Sequence, residues 1–165
     1  MKTIFLIRHA KSSWENQQIK DHERSLNQRG LKDAPAMGEK LEALYPSPGK
    51  IICSTARRAR ETAKMVKEHW FPFGNIEYTK QLYEASTPEV FNIIKSIQAK
   101  INSVALFFHN PTITHLANIL GSTSIINVPT CGVVILTSEK DDWQSIEVAS
   151  CKLVNFEYPK KVNDD

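Results

Sequence analysis

The chain has 165 residues, of which 41% are hydrophobic and 24% are charged, and its formal net charge is +3. This composition excludes a wholly disordered or fibrous protein. The length predicts one domain, residues 1–165, that buries roughly two-thirds of the surface exposed by the unfolded chain. Because the net charge is small and no basic stretch is interleaved with aromatic residues, we expect no nucleic-acid partner.

The first residues carry no predicted targeting or membrane segment. Only residues 4–7 are continuously apolar before Arg8, a run far too short for a signal-peptide core or a membrane span. We therefore predict a cytoplasmic protein without membrane contact. The cysteines, Cys53, Cys131 and Cys151, are odd in number and lack C-x-x-C spacing, which indicates buried reduced thiols rather than disulfides or a zinc site.

The first predicted strand, residues 2–7, ends abruptly at Arg8 and His9. A cation beside an imidazole, where a buried strand meets the surface, can bind an oxyanion and attack it in one place. The stretch that follows, residues 12–29, is long, polar and rich in charge, which is typical of a binding loop. We expect this loop to lie over the active edge of the sheet.

A helix is predicted next, because apolar residues recur at helical spacing: Leu31, Ala34, Met37, Leu41 and Leu44. Pro35 removes a backbone donor within this stretch, so it should either start the regular helix or bend it.

The second strand, residues 50–53, stops at Ser54 and Thr55, which are good N-cap residues for a helix over residues 56–69. Arg58 then lies in the first turn of that helix. The apolar stripe of the helix consists of Ala59, Ala63, Val66 and Trp70.

The third strand, residues 103–108, ends at His109. Asn110 is the predicted N-cap of the next helix, Pro111 its first residue and Gly121 its C-cap. The remaining predicted elements are an edge strand at 76–78, a loop at 82–85, a helix over about 88–99, strands at 132–137 and 145–149 around a hairpin-like turn, and a loose tail at 159–165.

These elements predict an α/β fold. Strands that are apolar throughout are typical of a parallel sheet buried on both faces, and the helices between them supply the crossovers that such a sheet requires. The carboxyl ends of parallel strands share one edge, where open sheets of this type bind ligands. Residues that are far apart in sequence could therefore converge there, namely Arg8, His9, Ser54, Arg58 and His109.

Four separated motifs carry a family resemblance: Arg8-His9-Ala10-Lys11, Arg24-Ser25-Leu26-Asn27-Gln28-Arg29-Gly30, Ser54-Thr55-Ala56-Arg57-Arg58-Ala59-Arg60-Glu61-Thr62 and His109-Asn110-Pro111. In order and spacing they resemble the motifs of the histidine phosphatase (phosphoglycerate mutase-like) superfamily. The short chain and the first and last motifs are most similar to its small SixA-type phosphohistidine phosphatase branch. The resemblance implies a three-layer αβα sandwich around a mainly parallel, mixed sheet.

The resemblance also implies roles for individual residues. His9 is the implied nucleophile that takes up the phosphoryl group, and Arg8, Arg58 and His109 are the implied ligands of its oxygens. Arg24 is an additional implied phosphate contact. His22, His69 and His115 have no such role in this interpretation.

Glu84 is similar to the acidic residue that many members of the superfamily use as a proton donor. A carboxylic acid there could protonate the leaving group and later activate water. The chain departs from the wider superfamily at Ala10, where a glycine is usual, and at Thr55, where a proline is frequent. Neither departure removes a catalytic group.

The chemistry of these residue types needs no metal and no cofactor. Arginines give paired hydrogen bonds to phosphate oxygens, and a neutral imidazole, with a reference pKa of about 6.5, is a competent nucleophile near neutral pH. We therefore predict a metal-independent phosphatase that forms a covalent phosphohistidine intermediate. Its predicted partner is a phosphohistidine protein or a small phosphate substrate.

Three alternatives stay open from the sequence. The enzyme could hydrolyse small phosphomonoesters, so that an alkoxide rather than an imidazole departs. It could be a phosphoglycerate-type mutase, although such a reaction must exclude water, usually with extra loops for which this chain has little length. It could also be a non-catalytic phosphate-binding module, against which the intact His9 argues.

Overall fold

The structure, a computed structural model, describes residues 1–160. Its strands are β1 (Lys2–Arg8), β2 (Lys50–Ser54), β3 (Ile76–Thr79), β4 (Ser103–Phe108), β5 (Val133–Ser138) and β6 (Cys151–Glu157). Its helices are α1 (Gln28–Leu44), α2 (Arg57–Trp70), α3 (Thr87–Lys95) and α4 (Thr112–Gly121), with short 3-10 helices at Asp21–Glu23 and Lys80–Leu82. No helix within residues 1–160 has both the length and the apolar character needed to cross a membrane.

The strands form one mixed sheet in the order β3-β2-β4-β1-β5-β6. The first four strands in this order run parallel to one another, whereas β5 is antiparallel to β1 and β6 is antiparallel to β5. The mainly parallel sheet and its edge strand β3 agree with the prediction. Connections between parallel strands pass through helices, as such connections require.

Side chains of each strand alternate between the two faces of the sheet, and each face carries its own core. Phe5 and Ile7 pack with α1 and α2 on one face, whereas Ile4 and Leu6 pack with α3 and α4 on the other. The three-layer αβα arrangement is therefore confirmed. The apolar stripe predicted for α2 is buried in full.

The last strand lies later in the chain than predicted. Residues 145–149 are not a strand, and β6 begins at Cys151. Trp143 and Ile146 are 0% exposed and pack into the core from an irregular loop, whereas Val148 is 68% exposed. The indole nitrogen of Trp143 donates to the Ile101 carbonyl at 2.8 Å, which fixes the loop.

Helix α1 begins at Gln28, capped by the side chain of Asn27, so two residues of the predicted loop belong to the helix. Pro35 lies inside α1 and does not start its regular part, which corrects one of the two expectations for this proline. The ends of the predicted apolar stripe are also wrong, since Leu31 is 46% exposed and Leu44 is 51% exposed.

Helix α2 starts one residue later than predicted. Ala56, rather than Ser54 or Thr55, occupies the N-cap position, and no side chain caps the helix there. The Ser54 hydroxyl instead accepts a hydrogen bond from the Ala56 backbone at 3.2 Å, which forms a tight turn after β2. Arg58 is nevertheless in the first turn, as predicted.

Helix α4 starts one residue later than predicted. Pro111, not Asn110, is at its N-cap position, and Thr112 is its first residue. Gly121 is the last helical residue, and the left-handed position that follows is taken by Ser122, with φ 50°. Helix α3 is shorter than predicted and ends at Lys95. Of the predicted tail, residues 161–165 lie outside the described residues.

Candidate active site

Three strand ends meet at one edge of the sheet. Arg8 ends β1, Ser54 ends β2, and His109 directly follows β4, which lies between those two strands. A cleft of about 180 Å³ opens at this edge, and the predicted site residues that line it are Arg8, His9, Arg24, Arg58 and His109. The structure thus brings together five side chains from four separate motifs.

His9 is held as a neutral imidazole with one unprotonated nitrogen. Its side chain is buried, and Nδ1 lies 2.8 Å from the Ala10 carbonyl, which can only accept, so we assign the proton to Nδ1. Nε2 then carries a lone pair and accepts from Arg58 Nε at 3.4 Å. Burial, followed by the charges of His109, Arg58 and Arg8, holds the pKa of His9 well below 6.5 despite the Ala10 hydrogen bond.

His109 faces His9 across the cleft, with ring centroids 5.2 Å apart. Its Nε2 lies 2.8 Å from the Ser54 hydroxyl, and the buried Nδ1 has no hydrogen-bond partner within residues 1–160. Burial and then the charge of Arg58 lower the pKa of His109 to about 3, against an opposing effect of Asp21. The second imidazole is therefore also neutral in the free protein.

Three guanidinium groups concentrate positive charge around these rings. Arg24 is 7% exposed and Arg58 is 6% exposed, which is unusual for charged side chains. Arg8 donates from Nη1 to the Val128 carbonyl at 2.9 Å, whereas its buried Nε has no partner within the described part of the chain. Burial and then the charge of Arg58 lower the pKa of Arg8. Such a cluster is suited to a multiply charged oxyanion.

The predicted binding loop does contribute to this site. Ser12, at the start of this loop, and Arg24, in its second half, line the cleft, and Ser12 pairs with Leu26 in an isolated β-bridge. Gly30 lets α1 approach the start of this loop, because a Cβ there would clash with the Lys11 carbonyl. The loop is therefore pinned against the carboxyl edge of the sheet.

Glu84 is not brought into the cleft. Its exposed side chain instead lines a neighbouring cavity of about 340 Å³, which shares His109 and Asn110 with the cleft. Its backbone has φ 56°, a left-handed conformation that few residues other than glycine adopt. The role of Glu84 as a proton donor stays a prediction.

Cys53 is unsuited to act as a nucleophile at this edge. Its thiol is fully buried, and burial raises its pKa above the usual value, so the reactive thiolate is disfavoured. Within residues 1–160 no group of three or more His, Cys, Asp or Glu side chains is arranged to hold a metal ion. The cationic side chains that line the cleft are those of Arg8, Lys11, Arg24 and Arg58.

Sequence reasoning missed Asp21 and Tyr83. The Tyr83 hydroxyl donates to Asp21 Oδ2 at 2.7 Å, and Asp21 forms ion pairs with both Arg24 and Arg58. The only sequence signal was the position of Asp21 three residues before Arg24, a spacing at which helical ion pairs form. His22, treated as background, lies beside this group, with its ring 4.8 Å from that of Tyr83.

The family model of the histidine phosphatase superfamily (branch 1) matches residues 4–112 of this chain. The chain belongs to the histidine phosphatase superfamily. Among curated relatives, the uncharacterized protein ML1117 of Mycobacterium leprae is 34% identical over 93% of this chain and 100% of its own length. The uncharacterized protein Rv1276c of Mycobacterium tuberculosis is 30% identical, again over 93% and 100%.

Solved structures with the same architecture include proteins named SixA. A protein named as a phosphohistidine phosphatase SixA, from Agrobacterium tumefaciens, is 26% identical with a TM-score of 0.81, covering 96% of this chain and 98% of its own. The protein histidine phosphatase SixA complexed with tungstate is 17% identical with a TM-score of 0.83, covering 97% and 99%. The predicted SixA-type branch is thus confirmed, and family and fold together support a phosphatase.

Proposed function

We propose that this histidine phosphatase removes the phosphoryl group from phosphohistidine on a protein, through a covalent intermediate on His9. The observation that carries the proposal is the state of His9, a neutral buried imidazole whose Nε2 lone pair faces a cleft lined by three arginines. An imidazole in that state can attack phosphorus, and the guanidinium groups can neutralise the charge on the phosphoryl oxygens.

In the first step, the phosphoryl oxygens bind the arginines and His109. The Arg58 Nε–H group, which donates to His9 Nε2 in the free protein, then donates to a phosphoryl oxygen instead. The bond from His9 Nε2 to phosphorus forms as the bond from phosphorus to the substrate imidazole breaks. The substrate imidazole already carries a proton on its other ring nitrogen, so it leaves as a neutral group. The phosphorylated His9 ring is now cationic, and its Nδ1–H still donates to the Ala10 carbonyl, which stabilises that charge.

In the second step, water attacks phosphorus from the side opposite His9. The bond between phosphorus and Nε2 breaks, the lone pair returns to His9, and both protons of the water leave with the phosphate. Phosphate then leaves and the neutral imidazole is restored. No step in this reaction requires a metal ion, because the arginines stabilise the negative charge on the phosphoryl oxygens that a metal ion would otherwise stabilise.

A substrate panel in excess chelator tests this proposal. We expect turnover of a phosphohistidine protein to exceed that of sugar phosphates and of an aryl phosphate, and we expect chelation to leave all rates unchanged. A preference for sugar phosphates would favour the small-molecule phosphatase instead. Transfer of the phosphoryl group to a second sugar phosphate rather than to water would favour the mutase. Loss of activity that only a divalent ion restores would contradict the metal-independent mechanism.

Glu84→Gln tests the proton donor that the family resemblance suggests. A poor leaving group needs a proton more than a good one, so an alkyl phosphate should lose about 100-fold in kcat. An activated aryl phosphate, whose phenolate leaves unaided, should lose little, and phosphohistidine should fall between them. Glu42→Gln, the same charge change on an exposed site of α1, serves as the control. Equal losses with all three substrates would rule out general-acid catalysis by Glu84.

A further inference from the structure

Two of the buried arginines at the cleft reach it from different parts of the chain. Arg24 directly follows the 3-10 helix at Asp21–Glu23, and Arg58 lies in the first turn of α2. Two guanidinium groups that face one cleft repel each other, and the repulsion is strong because both side chains are buried. A negative group is needed to hold them together before any phosphate arrives.

Asp21 is placed to do this. Its Oδ1 accepts from Arg24 Nε at 3.1 Å and lies 3.0 Å from Arg24 Nη2, so it holds the side of that guanidinium. Its Oδ2 accepts from Arg58 Nη2 at 3.1 Å, and its backbone carbonyl accepts from Arg58 Nη1 at 2.8 Å. One residue therefore ties both arginines into a single unit.

The contacts of Arg58 with Asp21 do not involve Nε, the atom that faces His9. Asp21 takes the end of the guanidinium, Nη1 and Nη2, whereas Nε points toward His9 Nε2 at 3.4 Å. Rotation of Arg58 about its side chain would break both contacts with Asp21 at once. The carboxylate thus fixes the direction in which Arg58 presents its Nε–H to the nucleophile.

Tyr83 holds Asp21 in turn. Its hydroxyl donates to Oδ2 at 2.7 Å, and its ring packs edge-on against His109, with centroids 5.7 Å apart. Burial alone would raise the pKa of Asp21, but the Tyr83 hydrogen bond, the Arg58 charge and the bonds from Arg58 and Arg24 outweigh it and lower the pKa to about 2. Asp21 is therefore ionised at any working pH.

We propose that Asp21 is a positioning residue that pre-organises Arg24 and Arg58 for the phosphoryl group without touching that group itself. The proposal rests on the proposed function in one respect, namely that the arginine cleft binds phosphate. A second interpretation of the same contacts is that the Asp21 carboxylate competes with phosphate for the two arginines, so that phosphate must displace it. The two interpretations predict opposite effects on phosphate affinity when the charge is removed.

Asp21→Asn separates them, with inorganic phosphate as the probe. Removing a negative charge beside the cleft should tighten anion binding if only net electrostatics or competition mattered. If Asp21 positions the arginines, the reverse is expected. The dissociation constant of phosphate should rise about tenfold or more and kcat/KM should fall about 100-fold, because misdirected arginines lose charge-assisted hydrogen bonds to phosphate. Asp142→Asn, an equal charge change in the distant loop before β6, should leave both values unchanged.

A double variant tests whether Asp21 acts through the arginines. In an Arg24→Ala background, Asp21→Asn should cost clearly less than in the wild-type background, since part of what it organises is already absent. Tyr83→Phe, which keeps the carboxylate and removes one of its contacts, should weaken phosphate binding in the same direction but less. It keeps the test informative if Asp21→Asn fails to fold.

Tighter or unchanged phosphate binding in a folded Asp21→Asn variant would overturn the proposal, and so would fully additive effects in the double variant. Phosphate affinity is measured by calorimetry without turnover, so the result does not depend on the substrate. Absence of phosphoryl label on wild-type His9, with phosphate affinity still dependent on Asp21, would instead count against the catalytic mechanism alone.

Discussion

His9→Ala is expected to abolish both turnover and covalent labelling, because His9 is the only nucleophile in the proposed mechanism. The imidazole that attacks phosphorus has its Nδ1 proton fixed by the Ala10 carbonyl, and its Nε2 lone pair faces the cleft, where Arg58 Nε donates to it at 3.4 Å until a phosphoryl group binds. His109, the other imidazole at the cleft, has its Nε2 at 2.8 Å from Ser54 and so cannot substitute without reorganisation. We expect a fall in kcat of several orders of magnitude, roughly 10⁴-fold or more, as when other covalent nucleophiles are removed.

The chemistry of the label identifies the residue that carries it. A phosphoramidate is labile in acid and stable in alkali, so an acid-labile label that maps to His9 after rapid quenching would support the mechanism. His115→Ala provides the control, because that histidine is exposed on α4 and should leave labelling unchanged. A label on Cys53 or Ser54, or turnover that survives in His9→Ala, would overturn the assignment of the nucleophile.

The sequence could predict the positions of the cleft residues because topology constrains them strongly. Arg8 ends β1 and His109 follows β4, and the continuous apolar runs of these strands are typical of strands buried in a parallel sheet. Once the strands are parallel, their carboxyl ends share an edge, whatever the details of side-chain packing. The backbone alone therefore brings these residues close together.

Asp21 and Tyr83 could not be predicted in the same way. They are separated by 62 positions and meet only because an irregular loop and the segment after β3 approach each other across the end of the sheet. No periodic pattern fixes the path of either segment. The error at residues 145–149 has a similar cause, since Ile146 packs into the core from an irregular loop whereas Val148 is 68% exposed, so the alternating pattern there does not mark the buried face of a strand.

Arg58→Ala and Arg57→Ala form the second pair with a large expected difference. Neighbouring residues of a helix point about 100° apart, so only one of the two arginines can face the cleft. Arg58 is buried there and contacts both His9 and Asp21, whereas Arg57 is exposed and forms an i,i+4 ion pair with Glu61 at 3.7 Å. The structure therefore places Arg58 at the cleft, where the proposed phosphate ligand must lie, and leaves Arg57 on the surface.

We expect Arg58→Ala to lower kcat/KM by roughly 100- to 1,000-fold, the range found when one donor to transition-state charge is removed from an enzyme. Arg57→Ala should stay within a few fold, because an exposed ion pair contributes little. Arg58→Lys keeps the charge but loses the planar group that spans His9 and Asp21, so it should recover only part of the loss. Steady-state kinetics with a phosphohistidine protein, with thermal unfolding as a check on folding, measures all three. A larger loss in Arg57→Ala than in Arg58→Ala would mean that the first turn of α2 presents Arg57, not Arg58, to the substrate. The contacts between Asp21 and Arg58 would then not contribute to catalysis.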